Sequence, residues 1–211
     1  MNSLELPLER TTHATLVRRV KLISWLSLAW MTAEAVIGVL AGLAAGSIAL
    51  IGWGIDSTIE GIASLVIIWR FTGHRIHSDD AEATARKVVA VSFFLLAPYV
   101  AIEATRQLAT GSEPKGSWTG VGLAISAVVL MPLFGYAKKS IGSKLNSEAT
   151  RGEGTQNILC AYLSVAILIG LAANAVFDYW WADPIVALAV AIVAVQAGAQ
   201  TWRGESCAAS C

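Results

Sequence analysis

Six stretches of about twenty or more predominantly apolar residues follow one another along this chain and leave room for little else. They run over residues 22–45, 47–71, 88–108, 118–137, 156–176 and 183–202. A helix needs about 20 such residues to cross a hydrocarbon core about 30 Å thick. A helix also satisfies its own backbone polar groups there, which no open strand can do. The pattern predicts an all-α, polytopic membrane protein. Residues 22–202 would form one six-helix transmembrane bundle, residues 1–21 a cytoplasmic N-terminal segment and residues 203–211 a short cytoplasmic tail. Pro132 and Gly135 fall inside the fourth stretch, where a membrane helix tolerates them. Only 14% of the 211 residues are charged, against roughly 25% in soluble domains. The excess apolar surface must meet lipid. Residues 1–21 are polar, so no cleavable signal peptide is expected.

The connections alternate in character. Those near residues 44–47 and 177–182 are tight, whereas 72–87 and 138–155 read as longer, charged segments. Thirteen of the fifteen Lys and Arg residues fall on one side, and only Arg106 and Lys115 on the other. By the positive-inside rule both termini are cytoplasmic, as expected of a protein of the plasma (inner) membrane. Trp180 and Trp181 sit at the opposite interface, where indoles anchor well.

Enzymatic readings find no support. Nothing resembles a nucleophile elbow, a phosphate loop or a dinucleotide turn, and Gly152-Glu153-Gly154 is too short to be one. No prosthetic group is implied. A formal net charge of zero gives no pointer to nucleic acid, and three cysteines do not make a disulfide framework.

Charges inside a span cost at least about 2.5–3.5 kcal/mol each on insertion scales, so each needs a reason. Glu34 lies in the first span, Asp56 and Glu60 in the second, and Glu103 towards the external end of the third. Asp56 and Glu34 fall near the bilayer midplane. Asp56 and Glu60, four residues apart, share one helix face. Both cannot stay ionised there unaided: one is protonated, or a cation sits between them. Such a pair suits metal binding with proton exchange. In the fifth span Glu153, Gln156 and Cys160 recur at i, i+3 and i+7 along one stripe. A thiolate beside carboxylates is a borderline-soft ligand set, which favours zinc or cadmium over magnesium.

The segment S-I-A-L-I-G-W-G-I-D-S-T-I-E-G-I-A-S-L over residues 47–65 resembles the second span of the cation diffusion facilitator (cation efflux) family, with its S-x-A-L start and D-x-x-x-D metal pair. The pair here is Asp56-x-x-x-Glu60. The fifth and sixth spans are also similar, through L-S-V-A-I-L-I-G and the corner W-W-A-D-P-I-V-A-L that contains Ala182-Asp183-Pro184. The resemblance implies a divalent transition-metal transporter with six spans, acting as a homodimer. Two departures stand out. Where the family carries H-x-x-x-D in its fifth span, this chain has Gln156-x-x-x-Cys160, with Glu34 or Glu153 to compensate. The family's cytoplasmic C-terminal domain is expected to be missing, as in a short, divergent branch.

His74, His77, Asp79 and Asp80 follow the second span, and the resemblance implies a possible second metal site in that connection. The alternative is a solvated linker whose Asp79 or Asp80 caps the next helix. Cys207 and Cys211 in the tail form a weaker soft-ion pair. Gly38, Gly42 and Gly46 recur every four residues, a spacing that lets helices approach closely, within the chain or between subunits.

The function expected is export of a divalent cation, zinc foremost, from the cytoplasm by proton exchange. Membrane lipid, the metal ion, protons and a second copy of the chain are the expected partners. Iron, manganese, cobalt or cadmium is the alternative cargo, and a non-transporting metal sensor or partner protein the alternative role.

Overall fold

The computed structural model describes residues 5–45, 48–111, 118–177 and 181–204. The described residues form a bundle of six α-helices with no strand: α1 (Glu5–Ala45), α2 (Ile48–Arg70), α3 (Asp79–Thr110), α4 (Trp118–Lys144), α5 (Glu148–Phe177) and α6 (Ala182–Arg203), with a 3₁₀ turn over Gly73–His77. All six expected spans are present as helices. Thr11–Ala44, Leu50–Arg70, Asp79–Thr110 and Trp118–Lys144 each hold a window long and apolar enough to cross a membrane. Pro98 lies within α3 and Pro132 within α4, and neither helix is interrupted. α1 runs unbroken through residues 21 and 22. At about 1.5 Å per residue its 41 residues are far longer than a hydrocarbon core is thick, so its polar end extends the bundle beyond the lipid.

The charged connections are shorter than the sequence suggests. Ser78 caps α3 by accepting a hydrogen bond from the Ala81 N–H at 3.2 Å, with Asp79, Asp80 and Glu82 in the first turn, where carboxylates complement the helix dipole. Ser147 plays the same part for α5, accepting from the Thr150 N–H at 3.2 Å. Asn146 before it takes a left-handed φ of 50°, which Asn adopts more readily than most residues. The stretch 138–155 is therefore not a loop. Charge alone suggested one, but these charges lie on helices, and only residues 145–147 connect α4 to α5.

α1 packs along α2, α4 along α5, and α3 along α6, while α5 also touches α2, α3 and α6. Glycines set the closest approaches. A Cβ on Gly38 would stand 3.1 Å from the backbone of Leu50 and Gly54, and one on Gly54 would stand 2.8 Å from the Ala35 carbonyl oxygen. The first-span glycine stripe thus packs, at Gly38, within the chain; Gly46 lies outside the described residues. Gly135 and Gly154 face each other's carbonyl oxygens in the same way and draw α4 onto α5. Small residues at such crossings let packing replace the hydrophobic effect that lipid does not supply.

The largest apolar cluster gathers Val20, Ile67, Val89, Phe93, Ala194 and their neighbours. A second surrounds Cys160 with Met31, Ala127, Met131 and Ala161. Between them three helices turn polar stripes inward: Ser24, Ser27 and Glu34 on α1, Ser57, Glu60 and Ser64 on α2, and Glu153, Gln156, Asn157 and Ser164 on α5, all buried. Large apolar side chains such as Leu40, Ile102, Leu133 and Ile192 point outward, the inverse of a soluble protein and the arrangement lipid requires.

Candidate metal centre

Asp56 and Glu60 stand one turn apart on α2, and Cys160 faces them from α5. One ligand atom from each, two carboxylate oxygens and the thiol sulfur, lie within 4.8 Å of one another. This is the one group of three or more Asp, Glu, His or Cys residues gathered this tightly among the described residues. Both Glu60 oxygens and Oδ1 of Asp56 are buried and take no hydrogen bond from an N–H or O–H donor, the donor that faces Glu60 being the weak Cys160 thiol, and Oε1 of Glu34 is likewise without a partner. Buried carboxylate oxygens are ordinarily hydrogen-bonded or paired with a cation. A group of anionic ligands without donors is an environment a cation completes.

Glu34 is buried on α1, outside the three residues whose ligand atoms cluster. The close crossing at Gly38 and Gly54 holds α1, which bears Glu34, against α2, which bears Asp56 and Glu60. One turn beyond Asp56, the Tyr99 hydroxyl occupies the place a Cβ at Gly52 would take. An aromatic side chain from α3 thereby covers the side of the centre away from residues 60–64.

The other fifth-span residues have partners. Oε1 of Gln156 accepts from Ser92 on α3 at 2.8 Å, leaving Nε2 without a hydrogen bond. Oε1 of Glu153 accepts from Lys138 Nζ at 2.7 Å and also from the Ser64 hydroxyl. Lys138, in the segment read as a loop, is fully buried inside the bundle. Its ammonium also donates to Ser27 at 2.8 Å, and to Ser64 and Asn157, each at 3.2 Å. The buried face of α4 carried the signal: Ala124, Ala127, Met131, Gly135, Lys138 and Gly142 recur at helical spacing, with the lysine in register. Glu103 pairs with Arg106 at 3.3 Å on an exposed face.

His74, His77, Asp79 and Asp80 are all exposed and are not among the clustered ligand groups. His77 instead stacks on His13 of α1, ring centroids 5.6 Å apart. Ser78, not Asp79 or Asp80, caps α3. Close by, Glu82 joins three elements: it pairs with Arg70 of α2 at 2.8 Å and accepts from the Ser147 hydroxyl and the Ala149 N–H of the α5 start. Cys207 and Cys211 lie outside the described residues.

Several known proteins are similar. An uncharacterized transporter of Synechocystis sp. is 24% identical over 75% of this chain and 54% of its own length. Transmembrane protein 163 of Xenopus laevis is 21% identical over 83% of this chain and 63% of its own. Magnetosome protein MamB of a Magnetospira species is 28% identical over 89% of this chain and 66% of its own. The chain thus spans between about half and two thirds of the length of these relatives. Residues 24–203 match the cation efflux transmembrane domain, the region that contains the Asp56, Glu60 and Cys160 centre, and the chain belongs to the cation diffusion facilitator (cation efflux) family.

Proposed function

We propose that this protein exports a divalent transition metal, zinc foremost, from the cytoplasm in exchange for protons. The observation that carries the reading is the convergence of Asp56, Glu60 and Cys160 within 4.8 Å, with three buried carboxylate oxygens that take no hydrogen bond from an N–H or O–H donor. Family membership and the similarity to a transporter of Synechocystis support movement of a cation rather than storage. Asp56, Glu60 and Cys160 are the primary ligands. Glu34 is the fourth candidate, with one oxygen free of hydrogen bonds. Gln156 and Glu153 stand behind them, each with an oxygen engaged elsewhere.

The chemistry follows from the ligands. A carboxylate or thiol binds the ion only when deprotonated, so metal entry releases protons and proton return expels metal. Thiolate favours zinc and cadmium over manganese. Two arrangements of the bundle, rocking about the buried centre, alternate its access between the two faces. The working unit is a homodimer with both termini in the cytoplasm of an inner or plasma membrane.

Purified protein in liposomes tests this. Zinc should move in a protein-dependent way, and acid on the external side should drive efflux. Flux independent of pH and of its gradient would reject proton exchange. Zinc binding without flux would reject transport and favour a metal-sensing role.

A further inference from the structure

Two partners of the buried lysine each lie about one helical turn from a residue of the metal centre, on two different helices. Ser64, which receives a Lys138 hydrogen bond, follows Glu60 by four residues on α2. Asn157, which receives another, precedes Cys160 by three residues on α5. One turn is about 5.4 Å of rise, within the sweep of a lysine's flexible four-carbon stem. An ammonium has three protons, yet four oxygens surround this one: Ser27 Oγ at 2.8 Å, Glu153 Oε1 at 2.7 Å, and Ser64 Oγ and Asn157 Oδ1 each at 3.2 Å. The cradle offers more acceptors than the ammonium has protons. Glu153 supplies its one full negative charge, through one oxygen, while Oε2 makes no hydrogen bond. On the other side, Glu60 has two oxygens that take no hydrogen bond from an N–H or O–H donor.

We propose that Lys138 is a tethered cation that competes with the metal for Asp56 and Glu60, and that Glu153 sets the strength of that competition by holding it back. This rests on reading Asp56, Glu60 and Cys160 as the metal centre. With a divalent ion bound, repulsion keeps the ammonium on Glu153. With the centre empty, the ammonium has a choice between one carboxylate and several. The two helices that bear the metal ligands also bear three of its four present partners, Ser64, Glu153 and Asn157, so the exchange needs a side-chain movement and no helix displacement. Lys138 is thus a positioning residue for affinity and release rather than a metal ligand.

The inference predicts a sign that a purely structural ion pair does not. Glu153→Gln removes the restraint, the ammonium turns to Glu60, and metal binding weakens. Adding Lys138→Met to that variant removes the competitor, and binding recovers. The measurement is cadmium affinity by calorimetry on the purified full chain, with Cys207→Ser and Cys211→Ser in every sample to silence the tail thiols. Glu153→Gln should bind cadmium at least about tenfold more weakly than the parent, and the double variant should return to within about threefold of it. Elution profile and thermal midpoint establish that each sample is folded. Should Glu153→Gln fail to fold, Glu153→Asp, with its carboxylate drawn back along a shorter stem, carries the same test with a smaller loss. Cadmium affinity unchanged by the Glu153 substitution, or lost and not recovered on removing Lys138, would overturn the inference and leave the pair structural. No cadmium binding by the parent, or binding that survives Asp56→Asn with Glu60→Gln, would overturn the metal centre itself and this inference with it.

Discussion

Two groups of buried acids lie a single helical turn apart in this bundle, and they are in opposite electrostatic conditions. At the Lys138–Glu153 pair a carboxylate meets an ammonium at 2.7 Å, and Ser27, Ser64 and Asn157 complete the ammonium's shell. At Asp56 and Glu60 the carboxylates face each other and a thiol, and three of their oxygens meet no N–H or O–H donor. Both groups carry the cost of leaving water, and only the first is compensated from within the chain. A compensated charge is a fastener. An uncompensated set of anionic ligands suits, on the proposed reading, a cation that comes and goes. On that reading, the same residue types serve as a restrained pair or as ligands for a mobile ion according to whether their counter-charge is tethered.

The sharpest way to break this comparison is to remove the tethered cation. Lys138→Met leaves Glu153 buried with no cation, and breaking one side of a buried pair costs about 3–5 kcal/mol. Its thermal midpoint in detergent should fall sharply. The double variant Lys138→Met/Glu153→Gln should regain most of the loss, because neutral partners leave no stranded charge. A Lys138→Met protein as stable as the parent would show that the pair fastens nothing.

The opposite result is expected one turn away. Asp56→Asn and Glu60→Gln should each reduce zinc flux by about a hundredfold, a loss of about 2.7 kcal/mol, because each removes an anionic ligand and a proton acceptor. Without metal the same variants should melt no lower than the parent. Neutralising an acid that lacks a partner relieves a burial cost instead of creating one, the stability–activity trade-off expected of a binding site. Flux at the parent rate in both variants would reject the centre. A large drop in melting temperature would show that these acids are structural after all.

The difference between the groups also explains what the sequence could disclose. Asp56 and Glu60 were visible because both charges fall on one face of one apolar helix, and a local spacing suffices to find them. Cys160 followed from its stripe with Gln156 and Glu153. The helices themselves were legible from hydropathy, since lipid imposes their length. Lys138 was read as a surface charge because it adjoins Lys139 near the end of a hydrophobic run. Its burial depends on how far α4 continues, to Lys144, and on which helix it meets. The contact between α4 and α5 is set by Gly135 against Gly154, 19 residues apart in sequence, and neither glycine announces its partner. The stacking of His77 on His13 was hidden for the same reason: α1 extends past the lipid, and the sequence does not say what its polar end meets.

Gly135→Ala tests that helix contact. A Cβ there would stand 2.8 Å from the Gly154 carbonyl oxygen and 2.6 Å from the Ile158 side chain, and backbone cannot yield cheaply. Overpacking of this kind costs about 1–3 kcal/mol, so the thermal midpoint should fall. Gly122 lies on the same helix with nothing within 4 Å of an added Cβ. Gly122→Ala should leave the midpoint unchanged or raise it, since Ala is the better helix former by about 0.5–1 kcal/mol. Equal effects at both positions would mean that the α4–α5 contact is looser than its glycines imply.

The smallest expected effect decides what kind of ion the uncompensated group awaits. Cys160 is buried against Met31, Ala127 and Met131, so packing alone could account for it, and three substitutions separate packing from ligation. Cys160→Ser exchanges a soft sulfur for a hard, neutral hydroxyl of similar size. If sulfur binds the ion, cadmium affinity should drop by about tenfold or more, close to 1.4 kcal/mol, while manganese, which prefers oxygen, changes little. Cys160→Asp restores an anionic ligand and should shift the preference further towards manganese. Cys160→Ala removes the ligand with little change in volume and should resemble Ser in its cadmium-to-manganese ratio. Because carboxylate and thiol ligands must lose protons to bind, affinity for either ion should fall as pH falls, and the parent should release more protons per cadmium than the Ala variant. The decisive quantity is the ratio, because a packing defect weakens both ions together and leaves it unchanged. A ratio common to the parent, Ser, Asp and Ala forms would make Cys160 a core residue. The centre would then consist of Asp56 and Glu60 with Glu34, an all-oxygen set with no reason to prefer a soft ion.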